Sequence, residues 1–267
     1  MNKYFTSTLF LFAFVLGVYA QGDEQDAISA EELAKQLANP VASLISVPLQ
    51  NNFDFEVGPF GGFKYNLNIQ PVIPFSINNK WNMISRTIVP VISQSDVSGV
   101  GQSETGLGDI AQSLYFSPKA SKNGLVWGVG PILLFPTATD DALGAQKWGA
   151  GPNALVVKIK GQWTYGGIFN HTWSYAGSGP NDINASFLQP FMTYASKTGD
   201  SYTVASENTQ AWNNSIFGGF VGVYYSKVTS IGKQMLQVGG GPKVFYGNNP
   251  FNPKWGLRAN IVLLFPD

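Results

Sequence analysis

Few residues in this chain have the type and spacing to do chemistry. Cysteine is absent and His171 is the single histidine, so disulfides, thiolate metal sites and a multi-histidine metal centre are excluded by count. A serine and histidine that cooperate in hydrolysis from one strand must project to the same side, whereas His171 and Ser174 are three apart and face opposite ways. Strand parity instead sets His171 beside Trp163, Phe169 and Trp173 on an apolar face, as a member of an aromatic girdle. Gly99-Val100-Gly101 and Gly106-Leu107-Gly108 precede no amphipathic helix and no Gly-Lys-Ser/Thr, which argues against a phosphate loop. Asp140-Asp141 lacks the ladder of oxygen ligands that calcium needs and reads as a solvated pair. These observations point away from an enzyme and imply no cofactor and no metal.

The charges inside strand-like segments are more informative. Parity puts Lys64, Arg86, Asp109, Lys158, Glu207, Lys243 and Arg258 opposite the apolar positions, together with Asn66, Asn68, Gln70 and Gln237. An Arg or Lys facing lipid at mid-depth costs about 2–4 kcal/mol, so in a membrane barrel these side chains belong in the lumen. There they either form a polar, mildly cationic path or pair with one another and stopper the interior.

The elements that would position them follow from periodicity. From Trp255 to Phe265 every odd residue is apolar while Arg258 and Asn260 lie between them, and a C-terminal strand of this kind resembles the assembly signal of outer-membrane barrels. Phe63, Tyr65, Leu67, Ile69, Pro71, Ile73, Phe75 and Ile77 share one face of a second segment, with Lys64, Asn66, Asn68, Gln70 and Ser76 on the other. Ile84, Ile88 and Ile92 share parity with Arg86, so part of the lumen is expected to be apolar. Turn residues divide the chain into twelve strands, near 43–57, 63–77, 81–95, 105–117, 125–137, 148–159, 162–175, 184–197, 201–208, 214–226, 233–246 and 254–265. Twelve is an even number, as bacterial single-chain barrels have. Prolines at 48, 71, 74, 90, 131, 190 and 242 each remove a ladder donor and, with nearby glycines, mark bulges or bends. Connections 96–104, 138–147 and 176–183 are expected outside the cell.

Ahead of the strands, Lys3, the apolar run Leu9–Val18 and the small residues near Ala20 form a secretory signal peptide over residues 1–20. Residues 21–42 form a periplasmic or plug segment with one short helix: Ser29 and Glu32 make a capping box, Ile28 and Leu33 a hydrophobic staple, and the helix stops at Asn39 before Pro40. Residues 43–267 then make the barrel. Beyond the signal no apolar run reaches the ~18 residues of a spanning helix. Only 12% of residues are charged and 14% are aromatic, a balance suited to a lipid-facing wall. The net charge of zero offers nothing to attract nucleic acid. The expected partners are outer-membrane lipid, the barrel assembly machinery and a small-molecule solute.

Several segments taken in order resemble a known family: Leu44-Ile45-Ser46-Val47-Pro48, Leu67-Asn68-Ile69-Gln70-Pro71-Val72-Ile73-Pro74-Phe75, Gly106-Leu107-Gly108-Asp109-Ile110, Trp127-Gly128-Val129-Gly130-Pro131, Phe135-Pro136-Thr137-Ala138-Thr139, Asn170-His171-Thr172-Trp173-Ser174 and Gln189-Pro190-Phe191. They are similar to outer-membrane barrels known as phenol-degradation meta-pathway or transporter proteins. The resemblance implies an all-β, closed antiparallel transmembrane barrel in the outer membrane of a Gram-negative bacterium, passing small molecules that include apolar or aromatic compounds. A structural, non-conducting barrel is the alternative, and a membrane enzyme is less favoured.

Overall fold

The computed structural model describes residues 29–39 and 44–265. The signal peptide, the proposed staple residue Ile28 and Pro40 lie outside the described residues. One helix, α1 (Ala30–Leu37), precedes fourteen strands: β1 (Ile45–Val57), β2 (Gly62–Ile69), β3 (Val72–Ser76), β4 (Trp81–Ser95), β5 (Ser103–Leu107), β6 (Ile110–Pro118), β7 (Leu125–Phe135), β8 (Lys147–Lys160), β9 (Trp163–Gly177), β10 (Asn184–Ala195), β11 (Asp200–Ala211), β12 (Ile216–Ile231), β13 (Gln234–Gly247) and β14 (Trp255–Phe265).

Each strand pairs antiparallel with its neighbours, and β14 returns to β1 in continuous register from Ile45↔Phe265 to Phe55↔Trp255. The ladder is therefore closed, which leaves no unpaired edge. Two barrel strands are each built from two pieces. β2 and β3 both lie between β1 and β4, interrupted at Gln70-Pro71. Pro71 has no N–H to give, yet Gln70 N still donates to Pro48 O at 2.9 Å and Thr87 N donates to Pro71 O at 3.1 Å. β5 and β6 likewise both pair with β4, separated at Gly108-Asp109. The wall is thus a twelve-stranded antiparallel barrel, and the two breaks correct the unbroken segments expected at 63–77 and 105–117.

Alternation gives the wall two different faces. Trp127, Val129, Trp163, Tyr165, Phe169, Val204, Val223, Leu257 and Ile261 are exposed on the outside. Ring pairs gather at the two rims: Trp81–Trp127, Trp163–Tyr194 and Tyr202–Tyr225 at the end holding the chain termini, Phe55–Trp255, Phe135–Trp148 and Phe217–Tyr246 at the other. An apolar band between two aromatic belts is the outer surface of a barrel that sits in lipid. The terminus end carries the shorter turns, such as 161–162 and 232–233, and the opposite end the longest connection, 136–146.

Candidate functional site: the lumen

Helix α1 occupies the terminus end of the lumen. Ala30, Leu33, Ala34 and Leu37 recur at helical spacing and pack with Leu44, Ala195, Val228, Val262 and Leu264, all from the inner wall. Leu33 and Ala34 are each 1% exposed, so this face is fully covered. Ser29 caps the helix, its Oγ accepting from Glu32 N at 3.2 Å. The helix ends at Leu37 with Ala38 as C-cap, two residues short of the expected stop at Asn39. Gly199 lies against its start: its φ is +81°, in the left-handed region, and an added Cβ would stand 2.9 Å from Ala30 Cβ. Only glycine fits that turn.

Above the helix lies a cavity of about 280 Å³ whose walls differ in character. Its polar lining comprises Gln50, Gln70, Arg86, Gln189, Tyr224, Gln237, Arg258 and Asn260. Its apolar lining includes Val72, Ile168 and Phe191, which belong with an inner cluster of Ile84, Tyr115, Leu155 and Val157. The Arg86 guanidinium reaches Gln70, Nη2 donating to Oε1 at 2.7 Å.

Towards the long-connection end the lumen is crossed by ion pairs. Lys243 Nζ stands 2.7 Å from Asp54 Oδ1, and Arg258 Nη1 donates to Glu207 Oε1 at 2.9 Å. Asn52 joins the pairs, its Oδ1 accepting from Lys243 Nζ at 3.1 Å and from Arg258 Nε at 2.8 Å. The Phe220 ring lies 5.0 Å from the ammonium and 5.1 Å from the guanidinium, adding a cation–π contact to each. Lys64 stands opposite Asp54 in the β1–β2 register, while Gln94 Nε2 donates to Glu104 Oε2 at 3.1 Å.

Beyond the ion pairs, connection 136–146 folds inward over the wall. Leu107 N donates to Thr139 Oγ1 at 3.0 Å, Ile110 N to Thr137 Oγ1 at 2.9 Å, and Leu143 is buried near Gly106 and Gly108. Asp109 clamps this connection, its two carboxylate oxygens accepting from Ala138 N at 3.1 Å and Ala145 N at 2.6 Å. At the rim the hydrogen bond from Lys147 holds the Asp182 carboxyl below its ordinary pKa.

The residues assigned to the lumen from sequence therefore have several fates. Gln70, Arg86, Gln237 and Arg258 line the cavity, and Glu207 and Lys243 form the ion pairs above it. Asn68 Nδ2 donates to Gln50 Oε1 at 3.4 Å, and Asn66 O accepts from Asn52 Nδ2 at 3.2 Å. Asp109 braces a connection and does not line the cavity. Lys158 is corrected outright: it shares the parity of exposed Val156, and its Nζ reaches Asn123 O at 2.6 Å beside the turn at the terminus end. The reason is that β8 is apolar on both faces, Leu155 and Val157 filling the interior, so polarity does not reveal the inner side there. The reading also passed over Asp54 and Glu104. Their signal was available for Asp54, since Gln50, Asn52 and Asp54 alternate with Leu49, Asn51, Phe53 and Phe55.

On the outer wall His171 Nδ1 lies 2.8 Å from Ser186 Oγ, which also accepts from Trp212 Nε1 at 2.9 Å. His171 Nε2 is shielded and has no hydrogen-bond partner among the described residues, so the His171–Ser186 contact has no third group held on the other ring nitrogen. The three side chains stitch β9 to β10 and to the turn that follows β11 within the aromatic belt.

No family model and no curated protein matches the chain. Among solved structures it is similar to an outer-membrane channel from Pseudomonas putida F1, with a TM-score of 0.66 and 16% identity over 84% of this chain and 96% of that one. A more distant likeness is to the NanC porin, with a TM-score of 0.47 and 11% identity over 84% of this chain and all of the other. At 16% identity the first likeness bears on fold, and that fold is the closed barrel described above.

Proposed function

We propose that the protein is a passive channel for small molecules in the outer membrane of a Gram-negative bacterium, exported by residues 1–20 and inserted by the barrel assembly machinery. The observation that carries the reading is the reversal of polarity across one closed wall: lipid-compatible outside, hydrogen-bonding and charged within. The apolar inner cluster beside the cavity supports solutes with an apolar or aromatic body, as the resemblance to the phenol-degradation and transporter proteins implies. Seated at the terminus end, α1 makes the intact barrel a closed or narrow form.

The test is solute entry into liposomes carrying either the full mature chain or a chain lacking residues 21–39, with sugars, amino acids and phenolic compounds outside. Swelling is expected to be slow for the full chain and faster after deletion, most of all for phenolic solutes. A correctly folded barrel that admits no solute in either form would instead be a structural, non-conducting one, the alternative that the filled lumen favours.

A further inference from the structure

The cavity between α1 and the ion pairs has unfinished hydrogen bonding. Arg258 and Lys243 each face a carboxylate, but Arg86 does not: among the described residues its guanidinium makes one hydrogen bond, to the neutral Gln70 side chain. Guanidinium offers five N–H donors in a planar fork, so most of its donors face the cavity. The lining of the same cavity includes the apolar side chains of Ile168 and Phe191.

We propose that this cavity is a binding site for a small organic carboxylate with an apolar body, Arg86 holding the carboxylate through its free donors while the body lies against Ile168 and Phe191. A planar fork facing a planar carboxylate gives paired, charge-assisted hydrogen bonds. Size sets the class. About 280 Å³ is roughly twice the ~150 Å³ that holds a benzene molecule, which admits a benzoate-sized or slightly larger anion and excludes an oligosaccharide. The inference rests on the channel reading for its biological meaning, since a site midway along a closed pore selects what passes. As a binding statement it stands by itself.

Equilibrium titration of the full mature chain in zwitterionic detergent with sodium benzoate, benzamide and acetate tests it. Benzoate is expected to bind saturably, with benzamide weaker by about tenfold or more because it lacks the charge, and acetate weaker because it lacks the body. Arg86→Gln should remove the preference for benzoate over benzamide, and Arg86→Lys should restore part of it. Equal binding of benzoate and benzamide to the unmodified protein, no benzoate binding, or full benzoate affinity in a folded Arg86→Gln barrel would each overturn the proposal. Should Arg86→Gln not fold, the comparison of the three ligands on the unmodified protein still decides. Binding without solute passage would count against the channel reading alone, and passage without benzoate binding against this site alone.

Discussion

At the scale of single residues, the lumen ion pairs are structural before they are anything else. Arg258 has side-chain exposure of 5% and its partner Glu207 22%, so truncating the cation strands a carboxylate that retains a little contact with solvent. Breaking a buried pair from one side typically costs about 3–5 kcal/mol, and the residual exposure of Glu207 puts this case near the lower figure. Arg258→Gln should therefore lower the guanidinium midpoint of the micelle-folded barrel, and Arg258→Gln/Glu207→Gln should recover most of the loss because neither charge is then alone. Unchanged stability in the single variant would mean that the pair contributes nothing. Much of this was legible: parity alone places Arg258, Lys243 and Glu207 inside. Pairing was already one of the two alternatives; the full set of partners was not legible, because Arg258 meets Asn52 from the far end of the chain, and such contacts exist only once β14 closes on β1.

Among the elements, α1 shows how a short sequence can be read correctly in kind and still leave its place open. The capping box and the apolar spacing of Ala30, Leu33, Ala34 and Leu37 specify a helix, but eight residues cannot be stable alone in water. Its stability comes from the inner faces of β10, β12 and β14, which local pattern does not reveal. Leu33 is the side chain through which that docking can be broken. Leu33→Asp would set an unpaired carboxylate among Ala195, Val228 and Val262, a cost of several kcal/mol, so the helix is expected to leave the mouth. Two readouts should then move together: trypsin cleavage after Lys35 should accelerate, and bilayer conductance should rise to that of the chain lacking residues 21–39. Wild-type protection with wild-type conductance would show that the helix does not close the pore. The strand breaks at Gln70-Pro71 and Gly108-Asp109 have a different legibility. The proline announced a disturbance, but only the neighbouring strands show that pairing resumes beyond it.

For the whole molecule, closure converts local alternation into one enclosed field. The inner wall carries Lys64, Arg86, Lys243 and Arg258 against Asp54, Glu104 and Glu207, with Asp109 held in the clamp of connection 136–146. Four cations thus meet four carboxylates, whereas the residues assigned to the lumen by parity carry five cations against two carboxylates; moving Lys158 to the outer face and adding Asp54 and Glu104 accounts for the difference. Low-dielectric walls focus whatever net charge a pore contains, so a balanced lumen should select weakly. In planar bilayers the barrel lacking residues 21–39 is expected to show a potassium-to-chloride permeability ratio close to unity at 0.1 M salt, with little change at 1 M, where the Debye length shortens to about 3 Å. Arg86→Gln removes a cation that has no paired carboxylate and should tip the same pore towards cations, most clearly at low salt. A strong anion preference in the unsubstituted barrel, fading with salt, would instead mean that the carboxylates lie outside the conducting path and that the cations alone line it.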